Sequence, residues 1–267
     1  RQLRRLGNSA FVASNLSTNR RNLMAKNQLA LFEDQLAAMA VESVKAEQAS
    51  LQTTFLSTKG GNLTYRGDAV AGNKLACVIL AAPVERLYYS TRYDPTKLVG
   101  PDCFAIATSS IGITPADTAP NKQCGQCEGC PKNEWGSSPT GGKGKACRET
   151  RRLLLIPADA IGSADAVKGA EIAALRPPVT SLKNYATYVQ TVAATLKRPP
   201  LGVITEVAVV PDPKTQFKVV FNMVKTIDVL AALMERSKEE VEKAIATAGD
   251  MGGDEQTTTT DTSNSKY

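Results

Sequence analysis

The sequence CGQCEGCPKNEWGSSPTGGKGKACRETRR, residues 124–152, holds four of the six cysteines and the only tryptophan. Cys124, Cys127 and Cys130 are each separated by two residues, and Cys147 follows a loop rich in glycine and lysine. A Cys-x-x-Cys pair places two thiolates on one tight turn, and two remote ligands complete a tetrahedron around Zn²⁺. Because the chain has no histidine, the site must be all-sulfur or borrow a carboxylate. The stretch therefore predicts a loop that a metal ion holds together.

Two sets of four cysteines satisfy this pattern. The first is Cys124, Cys127, Cys130 and Cys147, although three cysteines at two-residue spacing crowd a single ion. The second replaces Cys124 with Cys103, and so combines one turn with two remote ligands. Structural zinc is the favoured metal. An iron–sulfur cluster is the alternative, because Cys-x-x-Cys-x-x-Cys followed by Pro131 is also a cluster spacing. Four sulfur ligands leave no open position, so the predicted role is structural.

The same stretch is locally basic and carries an aromatic side chain. Residues 131–152 contain six cations and two anions. Flexible Gly-Lys loops and arginine clusters contact phosphates well, which predicts nucleic-acid contacts. The residues concerned are Lys132, Trp135, Lys143, Lys145, Arg148, Arg151 and Arg152. The alternative is a solvated loop with Trp135 packed over the zinc site. A nucleotide-binding Walker motif is excluded, because Ala146 follows Lys145 where that motif has Ser or Thr.

A second candidate contact region is VERLYYSTRYD, residues 84–94. It interleaves basic and aromatic side chains, namely Arg86, Tyr88, Tyr89, Arg92 and Tyr93. A strand here places Tyr88 and Tyr89 on opposite faces, one towards the core and one exposed. Exposed aromatic rings among cations suit base stacking in single-stranded nucleic acid. The alternative is ordinary packing of a strand.

Composition narrows the class of protein. The chain has 267 residues, 42% of them hydrophobic, and a formal charge of +6. Residues 1–23 contain five arginines and no acidic residue. Because Met24 begins a sequence typical of a protein start, we interpret 1–23 as a non-native or disordered basic leader. Six cysteines without a secretory signal favour a reducing compartment. The sequence contains no apolar run of about 18 residues, so it predicts no membrane-spanning helix. No catalytic motif is recognisable, so we predict a binding protein and not an enzyme.

The remaining chain predicts a β-rich α+β protein. We expect an N-terminal helix in 24–50, a core in 51–235 with the zinc loop at 103–152, a C-terminal helix at 236–248, and a disordered, mildly acidic tail at 249–267. Ser237 and Glu240 form a capping-box pattern for the C-terminal helix. Short strands, one helix before a final hairpin and a metal loop fit a Greek-key barrel of the OB type, with an inserted zinc-binding loop and flanking helices.

These residues resemble a group of uncharacterised bacteriophage proteins over about residues 54–230. The shared features are Cys103-Phe104, Cys127-x-x-Cys130-Pro131-x-Asn133-x-Trp135-Gly136-Ser137, Gly144-Lys145-Ala146-Cys147, Arg151-Arg152-Leu153 and Pro177-Pro178-x-x-Ser181-Leu182-Lys183. In that group the first cysteine of the triplet is dispensable, so the resemblance implies the ligand set with Cys103. The broader likeness is to phage single-stranded DNA-binding proteins, in which an OB barrel carries a zinc site and an acidic tail recruits replication partners. This chain departs from them in its weakly acidic tail and in lacking their typical histidine ligand.

The resemblance implies a phage single-stranded DNA-binding protein in the cytoplasm of the infected bacterial host. It would act in DNA replication, recombination or repair, and its C-terminal tail would contact phage replication proteins. The alternative is a zinc-stapled structural or adaptor protein of the phage that binds protein and not DNA.

Overall fold

The computed structural model describes residues 54–91, 99–139 and 141–248, together with six positions before residue 54. The chain divides into two compact units, Arg1–Gln52 and Thr53–Tyr267. The six described positions of the first unit are helical and exposed; they are Phe32, Gln35, Leu36, Met39, Ala40 and Ser43. These positions agree with the predicted N-terminal helix. The rest of that helix, the basic leader at 1–23 and the tail at 249–267 lie outside the described residues.

The described part of the second unit contains eleven strands and three α-helices. The strands are β1 (Thr54–Ser57), β2 (Thr64–Tyr65), β3 (Asp68–Ala69), β4 (Lys74–Ala81), β5 (Val84–Tyr88), β6 (Cys103–Ala107), β7 (Cys147–Arg151), β8 (Leu153–Pro157), β9 (Ala173–Leu175), β10 (Val203–Asp212) and β11 (Gln216–Thr226). The helices are α1 (Ala164–Gly169), α2 (Leu182–Leu196) and α3 (Leu230–Ala246). Eight strands form one sheet in the order β11-β10-β4-β8-β9-β1-β2-β3, and three form a second sheet in the order β6-β5-β7.

The second sheet continues two central strands of the first. β4 runs into β5 through Ala82 and Pro83, and β7 runs into β8 through Arg152. At this bend the N–H of Arg152 donates to the carbonyl of Pro83 at 3.0 Å. β4 pairs with β8 and β5 pairs with β7, both antiparallel, so a bent two-stranded ribbon links the sheets. The cysteine-containing loop between β6 and β7 is thereby attached to the centre of the fold.

Both faces of the large sheet are buried at its central strands, and this is why these strands read as continuous apolar runs. Cys77 and Ile79 of β4 point to a core that also contains Tyr185 and Val192 of α2. Val78 and Leu80 point to a second core, which α1 and α3 cover. Strand alternation therefore separates two cores within one apolar segment.

The large sheet curls into a half-barrel. The turn between β1 and β2 returns to the β10–β11 hairpin, where Gly61 packs against Phe217. Leu56 of β1 shares a core with Val207 of β10, although three strands separate them in the sheet order. The predicted class, a β-rich α+β protein, is confirmed.

The structure corrects three local predictions. Ser237 is not a helix cap, because α3 begins at Leu230 and continues through it; its hydroxyl donates to the carbonyl of Leu80 at 2.9 Å. The segment 158–169, which its sequence predicts to be a surface connection, contains the short helix α1, capped by Ser163, whose side chain accepts from the N–H of Ala166. β7 occupies part of the stretch that the sequence predicted to be a basic loop.

A buried ion cluster lies where the two sheets meet. Glu85 of β5 is 2% exposed and pairs with Arg152 and Arg176. Arg176 donates to both carboxylate oxygens, from Nε at 2.6 Å and from Nη2 at 3.2 Å. The Arg176 guanidinium also lies 4.5 Å from the ring centroid of Phe55. The cluster therefore joins β5, the β7–β8 bend and the end of β9.

The ion cluster predicts a defined pH dependence of stability. Burial by itself raises the pKa of Glu85, but the charges and hydrogen bonds of Arg176 and Arg152 outweigh burial and hold that pKa below its ordinary value of 4.5. Ionised Glu85 therefore stabilises the fold fully above about pH 4.5, and this contribution disappears as the pH falls through the lower folded-state pKa. We expect the difference in unfolding free energy between wild type and Glu85→Gln, measured by urea denaturation, to be constant from pH 7 to about 4.5 and to shrink below it. A difference that grows as the pH falls would contradict the assignment.

Candidate metal centre and its loop surface

Five of the six cysteines line one small cavity beside the three-stranded sheet. Cys103 of β6 and Cys147 of β7 both pair with Tyr88 of the central strand, so the three side chains share one face of that sheet. The loop between β6 and β7 brings Cys124, Cys127 and Cys130 to the same cavity. The sixth cysteine, Cys77, is buried in the core of the half-barrel. The fold thus separates the five predicted ligands from the one cysteine that was not a candidate.

Backbone contacts shape the Cys-x-x-Cys turn. The N–H of Cys127 donates to the carbonyl of Ile113 at 3.1 Å, and the N–H of Asn133 donates to the carbonyl of Cys130 at 2.8 Å. Asn133 Nδ2 donates to the carbonyl of Cys127 at 2.9 Å. Gly129 has a φ of +72°, which favours glycine at this position. Hydrogen bonds therefore connect both ends of the turn to the rest of the loop.

The donor set of the cavity fits a metal cation that prefers sulfur. Burial and the nearby thiols of Cys127, Cys103 and Cys130 raise the pKa of Cys147 to about 12. A hydrogen bond with Cys130, with a smaller effect of burial, raises the pKa of Cys124 to about 11. Neighbouring thiols thus oppose the ionisation of Cys147 and Cys124, and a bound cation would favour their thiolate forms. Among the described residues, no three side chains already stand in a metal-binding arrangement, so coordination requires the thiols to rotate towards the cavity centre.

The five cysteines differ in burial. Cys103, Cys127 and Cys130 are buried, whereas Cys124 and Cys147 are half-buried. Cys147 begins a strand of the sheet, but Cys124 belongs to an irregular segment of the loop. Cys124 is therefore a half-buried cysteine of the cavity that belongs to no strand.

The loop beyond the turn presents Trp135. This side chain is 78% exposed, and the Lys145 ammonium lies 5.1 Å from its ring centroid. Lys145 Nζ also donates to Asn133 Oδ1 at 3.2 Å, so the indole is linked through Lys145 to the Cys-x-x-Cys turn. Sequence reasoning offered packing of Trp135 over the cavity as an alternative, and its exposure rules that out.

The neighbours of Trp135 have structural roles that sequence reasoning did not assign. Ser137 Oγ accepts from the N–H of Ala146 at 3.0 Å and lies 2.6 Å from the carbonyl oxygen of Glu134. Gly136 has a φ of +87°, and its N–H donates to the carbonyl of Gly144 at 2.9 Å. The spacing Asn-x-Trp-Gly-Ser was a visible signal, because a polar residue on each side of an aromatic marks a loop that is fixed around it. These contacts stabilise the backbone on both sides of an exposed indole.

The structure divides the predicted nucleic-acid contacts into three groups. Trp135, Lys143 and Arg148 are exposed, and Tyr89, Lys132, Lys145 and Arg151 are half-buried. Arg86, Tyr88 and Arg152 are buried, which corrects the prediction that they lie on a nucleic-acid contact surface. Arg86 is 7% exposed and pairs with Glu149, while Arg152 is 4% exposed and pairs with Glu85. Arg92 and Tyr93 lie outside the described residues.

Tyr88 and Lys132 form a second cation–aromatic pair at the cavity. The Lys132 ammonium lies 5.2 Å from the Tyr88 ring centroid, and both side chains line the cavity. The Tyr88 ring is therefore covered, and it belongs to the wall of the candidate metal centre.

Comparison with protein-family models, curated proteins and solved structures finds no match for this chain. Within the described ranges, no helix has the length and apolar content needed to cross a membrane.

Proposed function

We propose that the chain is a phage single-stranded DNA-binding protein that acts in replication, recombination or repair in the cytoplasm of the infected bacterial host. It is a binding protein and not an enzyme. DNA would bind without sequence specificity, its bases stacking on an exposed ring and its phosphates meeting nearby cations. The C-terminal tail would contact phage replication proteins.

The observation that carries this proposal is the exposed Trp135 with a lysine against its ring. It is unfavourable to leave a large apolar side chain exposed to water. Here the surrounding backbone is nevertheless fixed by specific hydrogen bonds. A base can stack on the free indole face while Lys143, Lys145 and Arg148 meet the phosphates. Tyr89, directly after β5, supplies a further half-buried ring.

The proposed cofactor is a structural Zn²⁺ held by Cys103, Cys127, Cys130 and Cys147. This set combines the three buried cysteines with the cysteine that begins β7, and leaves Cys124 as the alternative ligand. When bound, zinc would cross-link β6, β7 and the loop between them. The chain's own hydrogen bonds then extend that order to Trp135 through Asn133 and Lys145.

The proposed barrel is of the OB type. The curled sheet, the return of the β1–β2 turn to β11 and the burial of α2 residues in its core are the features that support it. In such barrels the binding surface lies on the sheet and on its long loops. The cysteine-containing loop between β6 and β7 is the long loop here.

A protein-binding adaptor is the second candidate, and one feature favours it. Met223 and Val224 are exposed on β11, the terminal strand of the large sheet in its described order. Val224 is the extra residue of a β-bulge, because Met223 pairs with Thr205 and Lys225 with Ile204. Adjacent exposed apolar side chains on an edge strand suit contact with another protein.

The expected result for Trp135→Ala is a loss of single-stranded DNA affinity. Stacking of one base on an aromatic ring contributes about 1 to 3 kcal/mol, so we expect Kd to rise roughly 5- to 150-fold. Because Trp135 is the only tryptophan, its fluorescence in the wild-type chain reports directly on this contact and should be quenched on binding. The measurement is anisotropy of a labelled oligonucleotide at low and moderate salt, with duplex DNA as competitor.

Two control variants separate stacking from charge. Ile111→Ala removes another exposed apolar side chain of the β6–β7 loop and should leave Kd unchanged. Lys143→Gln should weaken binding. It should also make the slope of log K against the logarithm of the salt concentration shallower by about 0.7. Absence of binding at low salt would refute the DNA-binding proposal. Binding without quenching of Trp135 would place the DNA elsewhere on the protein.

A further inference from the structure

Arg86 is a buried cation that lies behind the candidate metal centre. On β5, Arg86 lies two residues from both Val84 and Tyr88 and therefore points to the same face of the sheet. It pairs directly with Ala105 of β6. Cys127 packs on this same face, in one apolar cluster with Val84 and Ala105. The Arg86 side chain is within hydrogen-bonding reach of the Cys127 side chain.

Only part of the Arg86 guanidinium is satisfied by hydrogen bonds. Glu149 Oε2 accepts from Nε at 2.9 Å and contacts Nη2 at 2.8 Å. Nη1 is buried and has no hydrogen-bond partner in the part of the chain that the structure describes. An unpaired buried donor on a charged group is costly, so an acceptor is expected at this place. A thiol is a weak acceptor, whereas a thiolate is a strong one.

The net charge of the proposed metal centre also indicates a thiolate as the acceptor. Four thiolates around one Zn²⁺ carry a net charge of −2, and a buried charge is costly unless an opposite charge compensates it. Glu149 neutralises part of the Arg86 charge, but its side chain is 41% exposed and therefore partly screened by water. Arg86 is the buried cation on the face of the three-stranded sheet to which Cys127 belongs.

We propose that Arg86 is a positioning residue of the metal centre, in which Nη1 donates a hydrogen bond to the Cys127 thiolate and the guanidinium balances the charge of the sulfur ligands. This inference rests on the proposed zinc centre and goes beyond it. Glu149 fixes the orientation of Arg86 through Nε and Nη2. Arg86 therefore contributes to metal affinity and not to DNA contact.

The test is a Co²⁺ titration of the metal-free full-length chain in competition with a chelator, for wild type, Arg86→Gln and Arg86→Lys. Loss of an outer-shell partner typically lowers metal affinity by about 10- to 100-fold, and this is the loss expected for Arg86→Gln. The sulfur-to-cobalt charge-transfer band should also move to longer wavelength, because a hydrogen bond stabilises the sulfur electrons. Arg86→Lys keeps the charge and should retain most of the affinity.

Arg151→Gln is the matched control. Arg151 is two positions from Glu149 on the same face of β7, but it donates to the carbonyl of Ala82 at 3.4 Å and lies opposite Val84. Its replacement should leave both the affinity and the cobalt band unchanged. A merely structural effect of Arg86 would lower thermal stability without shifting the band.

The outcomes distinguish the inference from the proposal beneath it. If the wild-type chain binds neither Co²⁺ nor Zn²⁺, the metal centre and the role of Arg86 both fail, while DNA binding through Trp135 remains separately measurable. If the wild type shows the sulfur–cobalt band and Arg86→Gln matches it in affinity and wavelength, only the role of Arg86 is overturned. If Arg86→Gln does not fold, Arg86→Lys is the test of the inference. Low metal affinity in that folded variant would show that the positive charge at residue 86 does not support metal binding.

Discussion

Cys130→Ser is expected to abolish tight zinc binding and to remove the order of the loop between β6 and β7. Cys130 is buried in the cavity, and the N–H of Asn133 donates to its carbonyl, so the proposed zinc ligand is bonded directly to the segment that leads to Trp135. Structural zinc sites in small peptides bind with apparent free energies of about 10 to 16 kcal/mol. A variant that lacks one of four ligands loses most of that contribution.

The half-barrel should survive this substitution. Its two cores lie on the large sheet and contain none of the five cysteines of the cavity. We therefore expect hydrogen exchange to accelerate across residues 108–146 and to change little in β4, β8 and β10. Zinc content measured by mass spectrometry of the intact chain should fall from one ion to none, and chelation of wild type should reproduce the exchange pattern.

Cys124→Ser is the matched control, because it removes a half-buried thiol from the same cavity. It should retain one zinc ion and wild-type exchange in the loop. The reverse pattern, with zinc lost in Cys124→Ser and kept in Cys103→Ser, would establish the alternative ligand set. A wild-type chain that is purified without any metal, and that binds none when it is added, would refute the centre.

Glu85→Gln is expected to destabilise the second unit by about 3 to 5 kcal/mol. The substitution keeps the shape of the side chain but leaves Arg152 and Arg176 buried without their shared carboxylate. Two uncompensated cations at the junction of the sheets are more costly than the loss of the hydrogen bonds alone. Urea denaturation at pH 7, followed by circular dichroism, measures the difference.

Glu235→Gln provides the comparison for an exposed glutamate. Its carboxylate lies 3.9 Å from Lys168, and both side chains are more than half exposed. Water screens such a pair, so the expected change is at most about 1 kcal/mol. Equal effects of the two substitutions would mean that the buried cluster is not a stabilising junction.

The sequence alone predicted the local elements well where a single physical signal dominates. The predicted helix before a final hairpin is present as α2, and the hairpin is present as β10–β11. Each depends on chain-local properties, namely side-chain apolarity, the fixed φ of proline and helical periodicity. The spacing of the cysteines likewise predicted a loop whose thiols meet, and the fold brings them to one cavity.

The wrong predictions share one cause. The local sequence pattern does not show which face of a helix or strand is buried by the rest of the fold. The sequence predicted Arg86 and Arg152 to be surface cations, yet Arg86 on β5 and Arg152 at the β7–β8 bend are buried, and each pairs with a glutamate that the fold brings near. Ser237 read as a helix cap, but its hydroxyl is satisfied by the carbonyl of Leu80, which belongs to a strand 157 residues earlier. A hydrogen-bonding side chain serves whichever partner the fold brings near, and local spacing does not identify that partner.

The sequence by itself determined the β-rich class, the principal strands and the cluster of thiols, because these follow from composition and from spacing along the chain. Only the tertiary structure decided which cations are buried, that Tyr88 is covered, and that Trp135 is left exposed. The physical reason is that burial is set by contacts between residues distant in the chain: β5 lies between β6 and β7, which pairs Arg86 with Ala105 and Glu149, while Arg176 reaches Glu85 from the end of β9 in the other sheet.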